Sequence, residues 1–164
     1  MTATQKAVNP KQFVIDRTLK ASVEKVWKMW TTKDGLEKWW GPEDFSSTVR
    51  HLDVRAGGRF EIVMTAMLPA IIAHLKASGM DASSVAKGDY TVVEPNRRLV
   101  YTNAVDFVPG VPPYTSTTIV EMPTTPGGGT RLIVTNDVMH DAQWTAMATI
   151  GWTQQIGKLE KLMN

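Results

Sequence analysis

The chain changes hydrophobic period several times, and those changes predict its elements. Residues 12–19, QFVIDRTL, set Phe13, Ile15 and Arg17 against Val14, Asp16 and Thr18, a two-residue period that predicts a first strand. After Ser22, read as an N-cap, Val23, Val26, Trp27 and Trp30 recur at three and four, which predicts an amphipathic helix with two tryptophans on its buried side. TTKDG then breaks the pattern, and a second short helix is expected over Leu36–Trp40, stopped by Pro42. Strands are predicted over 46–53 and from Arg59, joined by a tight turn at Gly57–Gly58, with Phe60, Ile62 and Met64 on one face. Pro69 opens an apolar helix, AIIAHLKASG, closed by Gly79. Four more strands follow, over 84–93, 98–107, from Tyr114 and from Thr130, and PTTPGGG forms the last hairpin loop. Asp141 then caps a long final helix through Leu162, with Ala148, Trp152, Ile156, Leu159 and Met163 as one stripe.

Short turns join most of the strands, so the sheet is expected to be mainly antiparallel, with helices collected on one face: an α+β domain. Neither an internal repeat nor a long linker divides the sequence, and one domain over 1–164 is expected. If the sheet curls around the final helix, a cleft opens between them. Gly151 and Gly157 bear on that cleft, because each weakens the helix by about 1 kcal/mol relative to alanine. A close approach to the sheet, or room for a ligand, would offset the loss at Gly151.

Composition adds little to the fold but narrows the chemistry. Hydrophobic residues make up 43% and charged residues 21% of the chain, as in ordinary globular proteins. The absence of cysteine rules out disulfides, thiolate catalysis and cysteine-based zinc sites. A net charge of +2 gives no argument for nucleic acid. No apolar run approaches a membrane span, and the first residues lack the apolar core of a secretory signal, so the cytoplasm is the expected compartment. Nine methionines and six tryptophans suit a soft apolar cavity. The three histidines lack metal spacing, there is no HExxH or G-x-S-x-G motif, and PGGGTR reads as a hairpin turn; neither metal nor cofactor is expected.

Several segments together resemble the SRPBCC superfamily, with its START-like, Bet v 1-like helix-grip fold, and more closely its activator of Hsp90 ATPase homologue 1-like branch. They are VEKVWKMWTTKDGLEKWWGPEDF, DVRAGGRFEIVM, KGDYTVVEPNRRLVYT, GGGTRLIV and GWTQQIGKLEKL, in the family's order and over nearly the whole chain. The resemblance implies a curved antiparallel sheet gripping the C-terminal helix around an internal cavity. It also implies a small hydrophobic ligand, a cyclase-, hydrolase- or aldolase-like reaction in the same cavity, or contact with a chaperone. The N-terminal domain of the eukaryotic activator is missing, which argues against direct Hsp90 activation. Residues 67–84 depart from the family's short connection and look like an inserted helix near 69–79, placed as a lid or a contact surface.

The candidate residues follow from this frame. Trp39 is expected to anchor the short helix and Trp40 to face the cavity mouth, sharing the ligand site with Met64. On the strand 98–107 one face carries Tyr101, Asn103, Val105 and Phe107, the other Val100, Thr102, Ala104 and Asp106. Either face can look at the helix. If the first does, Tyr101 and Asn103 supply polar groups; if the second does, Asp106 is a buried acid of raised pKa. His74 on the inserted helix is the partner base, so His74 and Asp106 are the candidate catalytic pair. Tyr114 closes the rim, and Trp144, Met147, Gly151 and Gln154 line the cavity from the final helix. The function expected first is binding of a small apolar or aromatic molecule; a cofactor-independent enzyme and a co-chaperone-like interaction module stand as alternatives. A homodimer through the sheet edge or the insert stays open.

Overall fold

The computed structural model describes residues 11–164; residues 1–10, on which the expected lack of a secretory signal rests, lie outside the described residues. Seven strands form one antiparallel sheet: β1 (Gln12–Leu19), β2 (Phe45–Leu52), β3 (Arg59–Ala66), β4 (Ser83–Glu94), β5 (Arg98–Val105), β6 (Tyr114–Glu121) and β7 (Thr130–Asp137). Their spatial order is β1-β7-β6-β5-β4-β3-β2. Five hairpins join β2 through β7 in sequence, and β1 returns to pair with β7 along its whole length, Gln12 opposite Asp137 and Leu19 opposite Thr130. Helices α1 (Val23–Thr31) and α2 (Lys33–Trp39) fill the crossing from β1 to β2, α3 (Pro69–Ala77) joins β3 to β4, and α4 (Ala142–Met163) ends the chain. This is the α+β helix-grip arrangement: a curved antiparallel sheet around a long C-terminal helix.

One of these expected boundaries holds and one moves. Ser22 is the N-cap residue of α1, though its side chain makes no capping hydrogen bond, whereas Thr32 does: its Oγ1 accepts the Gly35 N–H at 3.0 Å and starts α2 at Lys33, earlier than Leu36. Gly35 thereby sits inside the helix and not in a linker. A Cβ there would stand 2.5 Å from the Lys28 carbonyl oxygen, so glycine lets α2 fold tightly against α1.

The final helix is held at both ends. Asp141 Oδ1 accepts the Trp144 N–H at 2.7 Å, a side-chain N-cap. At the far end the Met163 carbonyl accepts the Ala21 N–H, and Asn164 Oδ1 accepts the Lys20 N–H, both at 2.9 Å. Its buried residues, Gln155, Ile156 and Leu159, lie in the C-terminal half. There the core packs against Leu19, Val26, Trp30, Leu132 and Val134. Helix α3 differs from the other three in burying none of its residues.

Candidate functional site

The space between sheet and helices is solid at one end and hollow at the other. The solid end is aromatic. Trp30 and Trp39 lie 4.4 Å apart, Trp39 and Trp40 5.5 Å, and Trp40 continues to Phe60 at 6.2 Å and to Trp152 at 6.0 Å. Tyr90 and Tyr101 close the group edge-on. Trp39 is fully buried, and its indole N–H donates to the Met29 carbonyl at 2.8 Å. Adjacent tryptophans thus share one aromatic layer without sharing a direction: Trp39 fixes α2 to α1, and Trp40 forms the wall where packing ends.

Beyond Trp40 and Trp152 lies a cavity of about 320 Å³. That is near the lower end of the roughly 300–1,000 Å³ usual for small-molecule pockets. Its walls come from α4 (Trp144, Met147, Ala148, Gly151), from the sheet (Phe13, Met64, Asn103, Val105) and from Pro42, Met80 and Phe107. Gly151 lies on the wall, where a Cβ would meet Pro42 Cγ at 3.7 Å. Met147 is 48% exposed and sits at the opening. Met64 and Met80, on either side of α3, both line the cavity, so the inserted helix springs from its edge.

The polar groups of the wall form one row across the sheet. β5 pairs Asn103 with Ser116 of β6, and β6 pairs Thr118 with Asn136 of β7. Asn103 Nδ2 donates to the Ser116 carbonyl at 3.3 Å and to Thr118 Oγ1 at 2.9 Å, and Thr118 Oγ1 donates to Asn136 Oδ1 at 2.6 Å. Asn136 Nδ2 is buried with no partner. Gln155, on α4, is 6% exposed and lines the same cavity; its Oε1 accepts the Gly41 N–H at 2.9 Å. Gly41 stands at φ 90°, the left-handed turn that aims this N–H at the helix directly after Trp40.

The strand alternation is resolved in favour of the first face. Asn103, Val105 and Phe107 line the cavity, whereas the Asp106 carboxylate is drawn to Lys87 Nζ at 2.9 Å with 35% of its side chain exposed. It is therefore no buried acid. His74 is exposed on α3 and is absent from the cavity lining, so the proposed catalytic pair is not assembled in the cavity. Tyr101 belongs to the solid end: it is 2% exposed, burial drives its phenol pKa well above the usual value, and its hydroxyl has no hydrogen-bond partner.

Tyr114, expected to close the rim, is absent from the cavity lining: its hydroxyl is 2.7 Å from His140 Nδ1, and the His140 ring meets the lining residue Trp144 at 5.8 Å. Gln154 turns away from the cavity to accept the Glu43 N–H at 3.2 Å, and its neighbour Gln155 takes the inward place. The signal for Gln155 was in the apolar stripe: it is three residues after Trp152 and four before Leu159. Asn136 carries no comparable signal, because the alternation of the last strand leaves open which face turns to the helix. Among the described residues, no group of His, Asp and Glu side chains is arranged to hold a metal ion.

Sheet, gripped helix and hollow end define a helix-grip protein with an open cavity beside α4. The chain belongs to the family described as Activator of Hsp90 ATPase homolog 1-like protein, whose profile matches residues 20–164. A protein of Chromobacterium violaceum has a similar solved structure, at 26% identity and TM-score 0.76, over 94% of this chain and 98% of that one. One from Nitrosomonas europaea matches at 26% identity and TM-score 0.71, over 94% and 96%. The AHSA1 protein of Silicibacter pomeroyi, at 21% identity and TM-score 0.68 over 92% and 95%, shares the fold. Among curated proteins no sequence matches. Proteins of this family bind ligands or act in chaperone-related roles. Among the described residues, no helix is long and apolar enough to cross a membrane.

Proposed function

We propose that this protein binds a small, largely apolar guest in the cavity between the sheet and α4. The observation that carries the reading is the hollow itself, about 320 Å³ beside a core whose other end is packed solid with aromatic rings. A chain able to bury Trp30 and Trp39 completely has the side chains to fill this space, yet it places Gly151 and Ala148 on the wall. Apolar guest surface removed from water there contributes about 25 cal/mol per Å², less the cost of ordering the guest. Helix α3 is the candidate lid: it is apolar, buries none of its residues and is tied to the cavity wall through Met64 before it and Met80 after it, while none of its own residues lines the cavity.

The test is a titration with N-phenyl-1-naphthylamine, a neutral probe that fluoresces when desolvated. Saturable one-to-one binding, displaced by naphthalene and accompanied by a rise in melting temperature, is expected. Emission that grows without saturating, with no thermal shift, overturns the reading. The exposed apolar side chains of Met67 and Leu68 beside α3 favour a second reading, a protein-interaction surface of the co-chaperone kind. Replacing Met67 and Leu68 with serine separates the two: guest affinity persists if α3 serves protein contact alone and falls if α3 covers the guest.

A further inference from the structure

The cavity wall has a polarity that follows from fixed donors. The Gly41 N–H can only donate, so the Gln155 amide must turn its oxygen toward Gly41 and its NH2 away. That hydrogen bond is the one Gln155 makes through its side chain among the described residues, which leaves Nε2 without a protein partner. The same logic runs along the sheet. The Ser116 carbonyl can only accept, which fixes Asn103 Nδ2 as the donor; Thr118 Oγ1 receives from it and donates on to Asn136 Oδ1. The end of the chain is again an amide nitrogen, Asn136 Nδ2, buried and unpartnered. Both side chains are more than nine-tenths buried, both line the cavity, and both have an NH2 to spare. Asn136 Nδ2 is the buried one and carries the standing cost of a donor without an acceptor, whereas Gln155 Nε2 is open to the cavity and within reach of a guest oxygen.

The charges of the wall select further. Lys87 is the one cationic side chain in the lining among the described residues, and its ammonium is taken by Asp106 at 2.9 Å. Asp137 also lines the cavity, and its Oδ2 accepts the Thr117 N–H at 2.9 Å, which leaves a carboxylate beside the guest. Among the described residues no free cation therefore faces an anionic guest, and one carboxylate opposes it.

We infer that the cavity selects a neutral carbonyl compound, a ketone, ester or lactone on an apolar or aromatic frame, whose oxygen is held by the amide NH2 of Gln155, with Asn136 as the second donor. This rests on the binding function proposed above and goes further in naming the chemical class. It requires neither a covalent step nor a cofactor.

The test compares three guests of one frame, 2-acetylnaphthalene, 2-ethylnaphthalene and 2-naphthoate, by calorimetry on the whole protein. The ketone is expected to bind roughly tenfold more tightly than the hydrocarbon, the effect of one satisfied buried donor, and the carboxylate most weakly. The ketone's carbonyl stretch should shift to lower frequency on binding. Gln155→Glu keeps an acceptor for Gly41 and removes the amide donor, so the ratio of ketone to hydrocarbon affinity and the frequency shift should both shrink. Asn136→Asp is the parallel variant should Gln155→Glu fail to fold. Equal affinity for ketone and hydrocarbon overturns the carbonyl assignment and leaves the cavity function standing. Tightest binding of the carboxylate overturns the neutral class. Failure of all three to bind, with the naphthylamine probe silent as well, overturns both proposals.

Discussion

Gly151 and Gly157 provide an internally controlled test of the cavity. Both lie inside α4, where glycine costs about 0.8–1.0 kcal/mol relative to alanine through backbone entropy. An alanine Cβ at 157 would meet nothing within 4 Å, and at 151 it would meet only Pro42 Cγ at 3.7 Å, an ordinary van der Waals contact. Gly157→Ala and Gly151→Ala should therefore each stabilise the protein by about 1 kcal/mol, or about 2–4 °C in melting temperature for a chain of this size. The two positions then part company. Gly151→Phe places a ring in the 320 Å³ hollow and should lower guest affinity more than tenfold, whereas Gly157→Phe leaves affinity unchanged. Thermal denaturation followed by circular dichroism reads the first effect and probe titration the second. Destabilisation by Gly151→Ala beside stabilisation by Gly157→Ala would show that the wall at 151 is closed. Wild-type affinity in a folded Gly151→Phe would remove α4 from the site.

Other consequences are equally direct. Gly88→Ala should destabilise by about 3 kcal/mol or more in a urea titration, because its Cβ would stand 1.7 Å from the Thr102 carbonyl oxygen on the neighbouring strand. Thr118→Val keeps the shape but removes the hydroxyl linking Asn103 to Asn136; a loss of about 1–3 kcal/mol is expected, with thermal unfolding as the readout. Burial raises the phenol pKa of Tyr90 and Tyr101 above the ordinary value, so each stabilises the fold fully below about pH 10. That contribution is lost as pH rises further, since the unfolded chain releases those protons first. Spectrophotometric titration should show these two phenolates appearing only with unfolding; smooth ionisation in the folded protein would contradict their burial. The Asp16 carboxyl is held below its ordinary pKa chiefly by its hydrogen bond from Arg131. Its stabilising share is present above the unfolded carboxyl range and is lost as pH falls through the folded value, so Asp16→Asn should flatten the acid limb of the stability curve.

The order and extent of the elements were legible in the chain because periods of two and of three to four are local properties. The alternation in 12–19 matches β1, those from Arg59 and over 98–107 contain β3 and β5, the latter ending at Val105, and Pro69 and Asp141 mark true helix starts. Thr32 was less plain, because a threonine among turn-forming residues becomes a cap only once Gly35 can tuck against Lys28. The rotation of α4 was beyond local pattern. Met147, Ile150 and Gln154 share one helical row, yet Ile150 is 59% exposed and Gln154 bonds to Glu43, because packing of Ile156 and Leu159 sets the azimuth. One residue along a helix is about 100°, enough to replace Gln154 by Gln155 at the wall. The chemistry of His74 and Asp106 carries no address: α3 holds the first in solvent, and Lys87 draws the second away from the cavity. What the residues determined alone was where strands, helices and turns form; which groups meet across the hollow, and which amide hydrogens remain unpaired there, was decided by strand register and helix rotation, which arise only when the whole core packs.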